Sequence, residues 1–219
     1  SQWRESARQE ILELARTRTA ECFGLVQQVA DTTHWIVGGH QPELFHPGVW
    51  VKNAVIAQLA ARVHGVSLNL TVDNDLCPGS TITVPRGRDL PGMTSLDWDQ
   101  SQPQSPWEER SAPHPFLFAS FGERCRRHLR PWSIEPLAIE QDWSGGSHLP
   151  LVDRLIQLRG EFERRAGISN LELRVSDLAE TEAFRRFVAY LITHAEAFAT
   201  AYNAALLQYR REHHIRSQS

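Results

Sequence analysis

Residues 34–75, HWIVGGHQPELFHPGVWVKNAVIAQLAARVHGVSLNLTVDND, decide the fold. His34-Trp35-Ile36-Val37 reads as a short buried strand, and Gly38-Gly39 ends it. From Val49 to Val63 the residues Val49, Lys52, Val55, Ile56, Leu59, Ala60 and Val63 share one helical stripe, mostly apolar. Gly65 follows as the expected C′ residue. Val66 to Val72 alternates apolar and β-branched side chains, so it predicts a second strand, ended by Asp73-Asn74-Asp75. Strand, loop, helix and strand in this order make a βαβ unit, which requires parallel strands joined by a crossover helix.

Working outward, Trp3 to Ala30 predicts one or two helices leading into the core. Thr81 to Val84 predicts a short strand. The stretch from Pro85 to Pro150 holds nine of the twelve prolines and four of the seven tryptophans, with a basic helix expected from Phe118 to Leu129. Such a segment covers a site or wraps a core, because its tryptophans require burial. Leu151 to Ala166 predicts a helix stopped by Gly167, and Leu171 to Val175 a further strand for the sheet. Thr181 to His213 reads as one long helix whose Phe184, Val188, Leu191, Phe198, Tyr202 and Tyr209 pack against core or a partner helix. Two regions are therefore expected. Residues 1–150 form a core with a Pro/Trp-rich insertion at about 85–150, and residues 151–219 form a helical region ending in a C-terminal arm.

The composition is that of an ordinary globular protein, 41% hydrophobic and 22% charged. A net charge of -3 gives no global attraction to nucleic acid or an anionic membrane. Cys22, Cys77 and Cys125 are odd in number and lack CxxC spacing, which predicts reduced thiols in a cytoplasmic protein. No stretch is apolar enough for a leader or a membrane span. The basic run Arg124, Arg126, Arg127, His128 and Arg130 reads as a solvated helix face.

The chemistry concentrates in Gly38 to Gly48, at the carboxyl end of a parallel strand, where open α/β sheets bind ligands. Gly38 and Gly39 allow close backbone approach or positive φ. Gly48 and the first helical turn are expected to turn backbone amides toward an anion. His40, His46 and Lys52 can contact phosphate oxygens, and Gln41 and Asn53 add neutral amides. The alternative is that the histidines are structural and the glycines and prolines merely shape a turn. Asp73 and Asp75 either orient a ligand or cap the strand end. His40, His46 and Asp75 are ligand types that suit zinc or iron, but their spacing matches no metal signature, so no metal site is assigned. Cys77 is read as packing.

These residues, GGHQPELFHPGVWVKNAVIAQLA followed by LNLTVDND, resemble the bacillithiol biosynthesis cysteine-adding enzyme family, and through it the HIGH-signature nucleotidyltransferases. They are still more similar to bacterial proteins of uncharacterised function that share GHQPELFHPGVW. The resemblance covers about forty residues and implies a Rossmann-like parallel sheet with flanking helices. It implies ATP, with magnesium, bound near Gly39, His40, Gln41 and Gly48, with His40 and His46 stabilising the phosphates. Two departures limit it. His46-Pro47-Gly48 is atypical of the cysteine-adding enzymes, and the second, lysine-rich signature of adenylyl transfer is missing from a chain with very few lysines. The expectations are a nucleotide-dependent ligase or nucleotidyltransferase-like enzyme acting on a small molecule, or a non-catalytic binding or assembly protein of the same fold. A metal-dependent hydrolase is a weaker third. A homodimer through the C-terminal helix is expected, and the polar end at His213 to Ser219 suggests the N-terminal portion of a longer protein.

Overall fold

The computed structural model describes residues 2–24, 34–43, 47–86, 92–100, 103–111, 113–132, 143–145 and 148–215. The βαβ expectation holds. Strands β1 (Trp35–His40) and β2 (Val66–Thr71) are parallel and flank helix α2 (Pro47–Arg62) in sequence. The 171–175 segment supplies a third strand, β5 (Leu171–Arg174), parallel to β2, so the order is β1-β2-β5. A separate antiparallel hairpin pairs β3 (Thr81–Pro85) with β4 (Met93–Asp97).

Two compact units divide the chain. Residues 11–178 hold both sheets, α2, α3 (Pro115–Leu129) and α4 (Leu151–Arg165), so α4 and β5 belong with the sheet. Helix α1 (Gln2–Phe23) buries Leu12, Ala15 and Thr19. Leu12 and Ala15 join Val66, Leu68, Leu171 and Leu173 in one apolar cluster. A second cluster joins Trp98, Trp107, Phe118, Phe121 and Trp143 to Leu151, Leu155 and Leu158 of α4. Three of the four tryptophans of that stretch are buried as expected, Trp132 being only half-buried, and they pack around a core of their own.

The other unit combines residues 1–10 with 179–219. Here the Thr181 hydroxyl accepts from the Phe184 amide, and the Glu10 carboxylate accepts from the amides of Glu182 and Ala183. These bonds cap α6 (Glu182–Thr193), which follows the short α5 (Val175–Ala179). The expected single long helix is broken at His194, before α7 (Ala195–Glu212). Thr193 Oγ1 donates to the Ala189 and Tyr190 carbonyls, and His194 Nδ1 lies 2.9 Å from the same Tyr190 oxygen. Side chains that compete for helix carbonyls bend or end a helix. Helix α7 buries none of its residues, and the homodimer expectation rests on its exposed Phe198, Tyr202 and Tyr209.

Strand β1 runs two to three residues beyond the expected end. Gly38 and Gly39 are ladder residues opposite Asn69 and Leu70, and neither has positive φ. Close approach is what Gly39 needs, because a Cβ there would lie 2.6 Å from the Leu70 carbonyl oxygen. At Gly38 an added Cβ meets only the end of the Ile56 side chain, at 3.2 Å. Gly39→Ala should therefore cost about 1–3 kcal/mol in chemical denaturation, and Gly38→Ala distinctly less. Equal costs would contradict this strand register.

Helix α2 also differs in its end and its face. His64, with φ of 52°, takes the left-handed C′ position, and the Gly65 amide closes the cap on the Ala60 carbonyl at 2.8 Å. Asn53, Ile56 and Ala60 face inward, whereas Val51, Val55, Leu59 and Val63 are exposed. The buried stripe is thus narrower than the apolar stripe of the sequence. No described helix is long and apolar enough to cross a membrane.

Candidate functional site

The parallel register brings the ends of β1 and β2 to one edge. His40 stands opposite Thr71, half-buried, and its carbonyl accepts from the Val72 amide at 2.9 Å. Its ring Nδ1 lies 3.2 Å from the Gln41 carbonyl. Gln41 Nε2 donates to Asp75 Oδ2 at 2.8 Å, tying the loop after β1 to the turn after β2. The exposed Lys52 reaches back from α2 and donates to the Gly39 carbonyl at 3.2 Å. Gly48 is exposed in the first turn of α2, which holds no acidic residue. His46 lies outside the described residues.

Asp75 is open to solvent. The Gln41 amide, and then the Leu76 N–H at 2.8 Å, hold its carboxyl below the ordinary carboxylate range. It stands as an ionised group at the mouth of this edge.

Two expected ligand contacts are corrected. Asp73 is 0% exposed and accepts from the Ser176 amide at 3.0 Å and hydroxyl at 2.5 Å. It fastens the start of α5, as a buried carboxylate must find donors. Asn53 is 2% exposed and donates to Glu163 Oε1 at 2.6 Å. Successive helical residues diverge by about 100°, so an inward Asn53 leaves Lys52 outward.

Asn53 enters a buried ionic chain with no counterpart in the expectations. Arg159 bridges Glu163 at 2.8 Å and Glu172 at 2.7 Å, and Asn69 donates to Glu172 at 2.9 Å. Burial alone would lower the Arg159 pKa, but the two carboxylates overcome it and raise it further. Burial raises Glu163, with Arg159 opposing. The chain links α2, α4, β5 and β2, so it fixes the helix that carries Lys52.

Burial disfavours the thiolate at all three cysteines. Burial pushes Cys22 up to about 12 and Cys125 up to about 11, and it also raises Cys77, which donates to the Gly79 carbonyl at 3.4 Å. Cys77 is buried, in line with its packing role. Among the described residues no cluster of three His, Cys, Asp or Glu side chains could hold a metal ion. The set His40, His46 and Asp75 includes a residue outside that description.

The turn after Asp75 leads into cavities that sequence reasoning missed. One of about 320 Å³ lies among residues 77–81, the exit of β4 and Arg110. A smaller one of about 150 Å³ adjoins Glu43, Trp98, Trp107 and Leu155. Pro78, Gly79 and Thr81 wall both. Their lining comes from segments distant in sequence, so no motif announces them.

Fold and site together define a mixed α/β protein whose polar groups gather at the carboxyl edge of a three-stranded parallel sheet. Comparison with known protein families, curated proteins and solved structures gives no match.

Proposed function

We propose that this protein binds a nucleoside triphosphate at the carboxyl edge of a Rossmann-like sheet and acts as a nucleotide-dependent ligase or nucleotidyltransferase-like enzyme. The observation that carries this reading is Lys52. It is the sole lysine in the sequence, the rest of the 23 Lys+Arg residues being arginine, and its ammonium lies on the Gly39 carbonyl where β1 gives way to the loop. A compact, mobile ammonium exchanges a carbonyl for a phosphate oxygen readily. His40, His46 and the first-turn amides at Gly48 would surround the same anion, and Gln41 would be held for it by Asp75. Asp75, exposed and ionised, is the group suited to a magnesium ion accompanying the phosphates. Gly38 and Gly39 shape the strand end beneath this site. A small-molecule acceptor would enter from the same edge.

The engagement of Asp73 and Asn53 in structural bonds favours a second reading, binding without turnover, because it removes two polar groups from the reaction. Calorimetric titration of ATP and magnesium into the wild type, Lys52→Met and His40→Ala tests the first. Each variant should weaken ATP by about tenfold or more, the value of one charge-assisted hydrogen bond. Pyrophosphate or phosphate release from wild type alone separates enzyme from binder. Unchanged affinity in both variants rules out this site.

A further inference from the structure

The two cavities beyond Asp75 share the wall Pro78, Gly79 and Thr81, and the smaller one reaches Glu43 in the loop that follows β1. Glu43 lies three residues beyond His40 and Pro78 three beyond Asp75, so these walls follow directly in chain from the edge assigned to phosphates, within one compact unit. We infer that this paired cavity is the seat of an aminopurine base, the nucleoside end of the same nucleotide. The inference rests on the phosphate reading for the position of the triphosphate, but not for the chemistry of the cavity.

The charge balance excludes phosphate from the cavity itself. The larger cavity is lined by two carboxylates, Asp97 and Asp99, against one guanidinium, Arg110, and Glu43 adds a further carboxylate at the smaller lobe. Arg110 is 4% exposed, and its Nη2 lies 3.4 Å from Asp99 Oδ2. Asp99 Oδ1 also accepts from the amides of Gln100 and His114, at 2.8 Å and 2.7 Å. Asp99 is thus consumed, and Asp97, Gln100 and Gln104 remain as a rim of carboxylate and amides on exposed residues. A carboxylate accepts from an exocyclic amine, and a glutamine amide can both donate to and accept from an adenine edge. The smaller lobe sets Ile82, Trp98, Trp107 and Leu155 beside Glu43, Pro78, Gly79 and Thr81, so its wall is mixed, with two indole rings in it. A slot with aromatic walls and an amide and carboxylate rim suits a planar, hydrogen-bonding heterocycle. About 320 Å³ is at the small end of ligand pockets, enough for a nucleoside and little more.

The test titrates adenosine, uridine, ATP and inorganic tripolyphosphate separately into wild type, Thr81→Trp, Gln104→Ala and Lys52→Met. Thr81 is exposed at the start of β3, so tryptophan there fills the cavity mouth on a strand that tolerates it. Thr81→Trp should weaken adenosine and ATP at least about tenfold and leave tripolyphosphate within about twofold. Gln104→Ala, on an exposed loop position, should weaken adenosine without touching the fold, and adenosine should bind ahead of uridine. Lys52→Met should do the reverse, weakening ATP and tripolyphosphate while sparing adenosine. If ATP binds no better than tripolyphosphate and neither cavity variant changes either, the base site is overturned and the phosphate site stands. If adenosine binds through Thr81 and Gln104 while tripolyphosphate does not bind, the base site stands and the phosphate reading falls. Absence of binding by adenosine and ATP alike overturns both.

Discussion

Arg159→Met is expected to lower stability by about 3–5 kcal/mol at neutral pH, the usual cost of leaving a buried charge without its partner. Arg159 is the cation that lies between Glu163 and Glu172, and all three are buried. Without it two carboxylates face each other in the interior, with only the amide donors Asn53 and Asn69 left to them. In a unit of this size each kcal/mol moves the thermal midpoint by roughly 2–4 °C. The pH dependence has a definite sign. Burial already raises Glu163, and removal of the guanidinium that opposes this raises it further. A carboxyl whose folded pKa lies above its unfolded value of about 4.3 weakens the fold above the folded pKa, and the penalty fades as pH falls toward the unfolded value. The gap between wild type and variant should therefore be widest near neutrality and narrow toward about pH 4–5. Replacing all three charges, as Arg159→Met with Glu163→Gln and Glu172→Gln, should recover much of the loss. Urea melts across pH decide it: a cost below about 1 kcal/mol would mean that water reaches the trio.

This ionic chain also marks where the sequence stops being legible. Its members lie on α2, β2, α4 and β5, and Asn53 is 110 positions from Glu163. Each sits in a pattern that reads as helix or strand, and nothing local says that its polar end is turned inward. The βαβ unit was legible because its periods are local: the alternation of Val66 to Thr71 and the helical stripe through Val55, Ile56, Leu59, Ala60 and Val63, of which the structure buries only Ile56 and Ala60. The carboxyl edge was legible for the same reason, since His40, Gln41, Lys52 and Asp75 follow from where those strands end. Asp73 and Asp75 share a residue type and a turn, yet one is wholly buried and the other open. Only Ser176, which arrives from α5, distinguishes them. Strand β4, Met-Thr-Ser-Leu-Asp, shows little apolar alternation because one face is solvated and only Leu96 is buried. The break at His194 has no glycine or proline to signal it, being made by side-chain competition for carbonyls.

Trp107→Ala should be as damaging as the loss of Arg159, by about 3–5 kcal/mol, for a reason the Pro/Trp-rich composition only half conveyed. A tryptophan in a long proline-rich segment must be buried against something, and the parallel sheet is the obvious surface. The structure gives it another partner. Trp107 is 2% exposed and stacks on Trp98, with ring centroids 6.4 Å apart and planes within 8°. Around the pair lie Phe118, Trp143, Leu151 and Leu155, so the insertion and α4 build a second core. The backbone of the same residue donates to the Asp75 carbonyl at 3.0 Å, and the next amide, of Glu108, donates to the Asp73 carbonyl at 2.8 Å. Trp107 thus anchors the turn that carries Asp75, in the edge assigned to phosphates, while its ring walls the smaller cavity. Truncation should lower the thermal midpoint, alter the near-ultraviolet circular dichroism of the Trp98 pair and weaken adenosine. Trp107→Phe, which keeps an apolar ring in the same space, should restore most of the stability. A melt of Trp107→Ala indistinguishable from wild type would show that the tryptophans do not organise this core, and with it would go the rigid wall on which the base site depends.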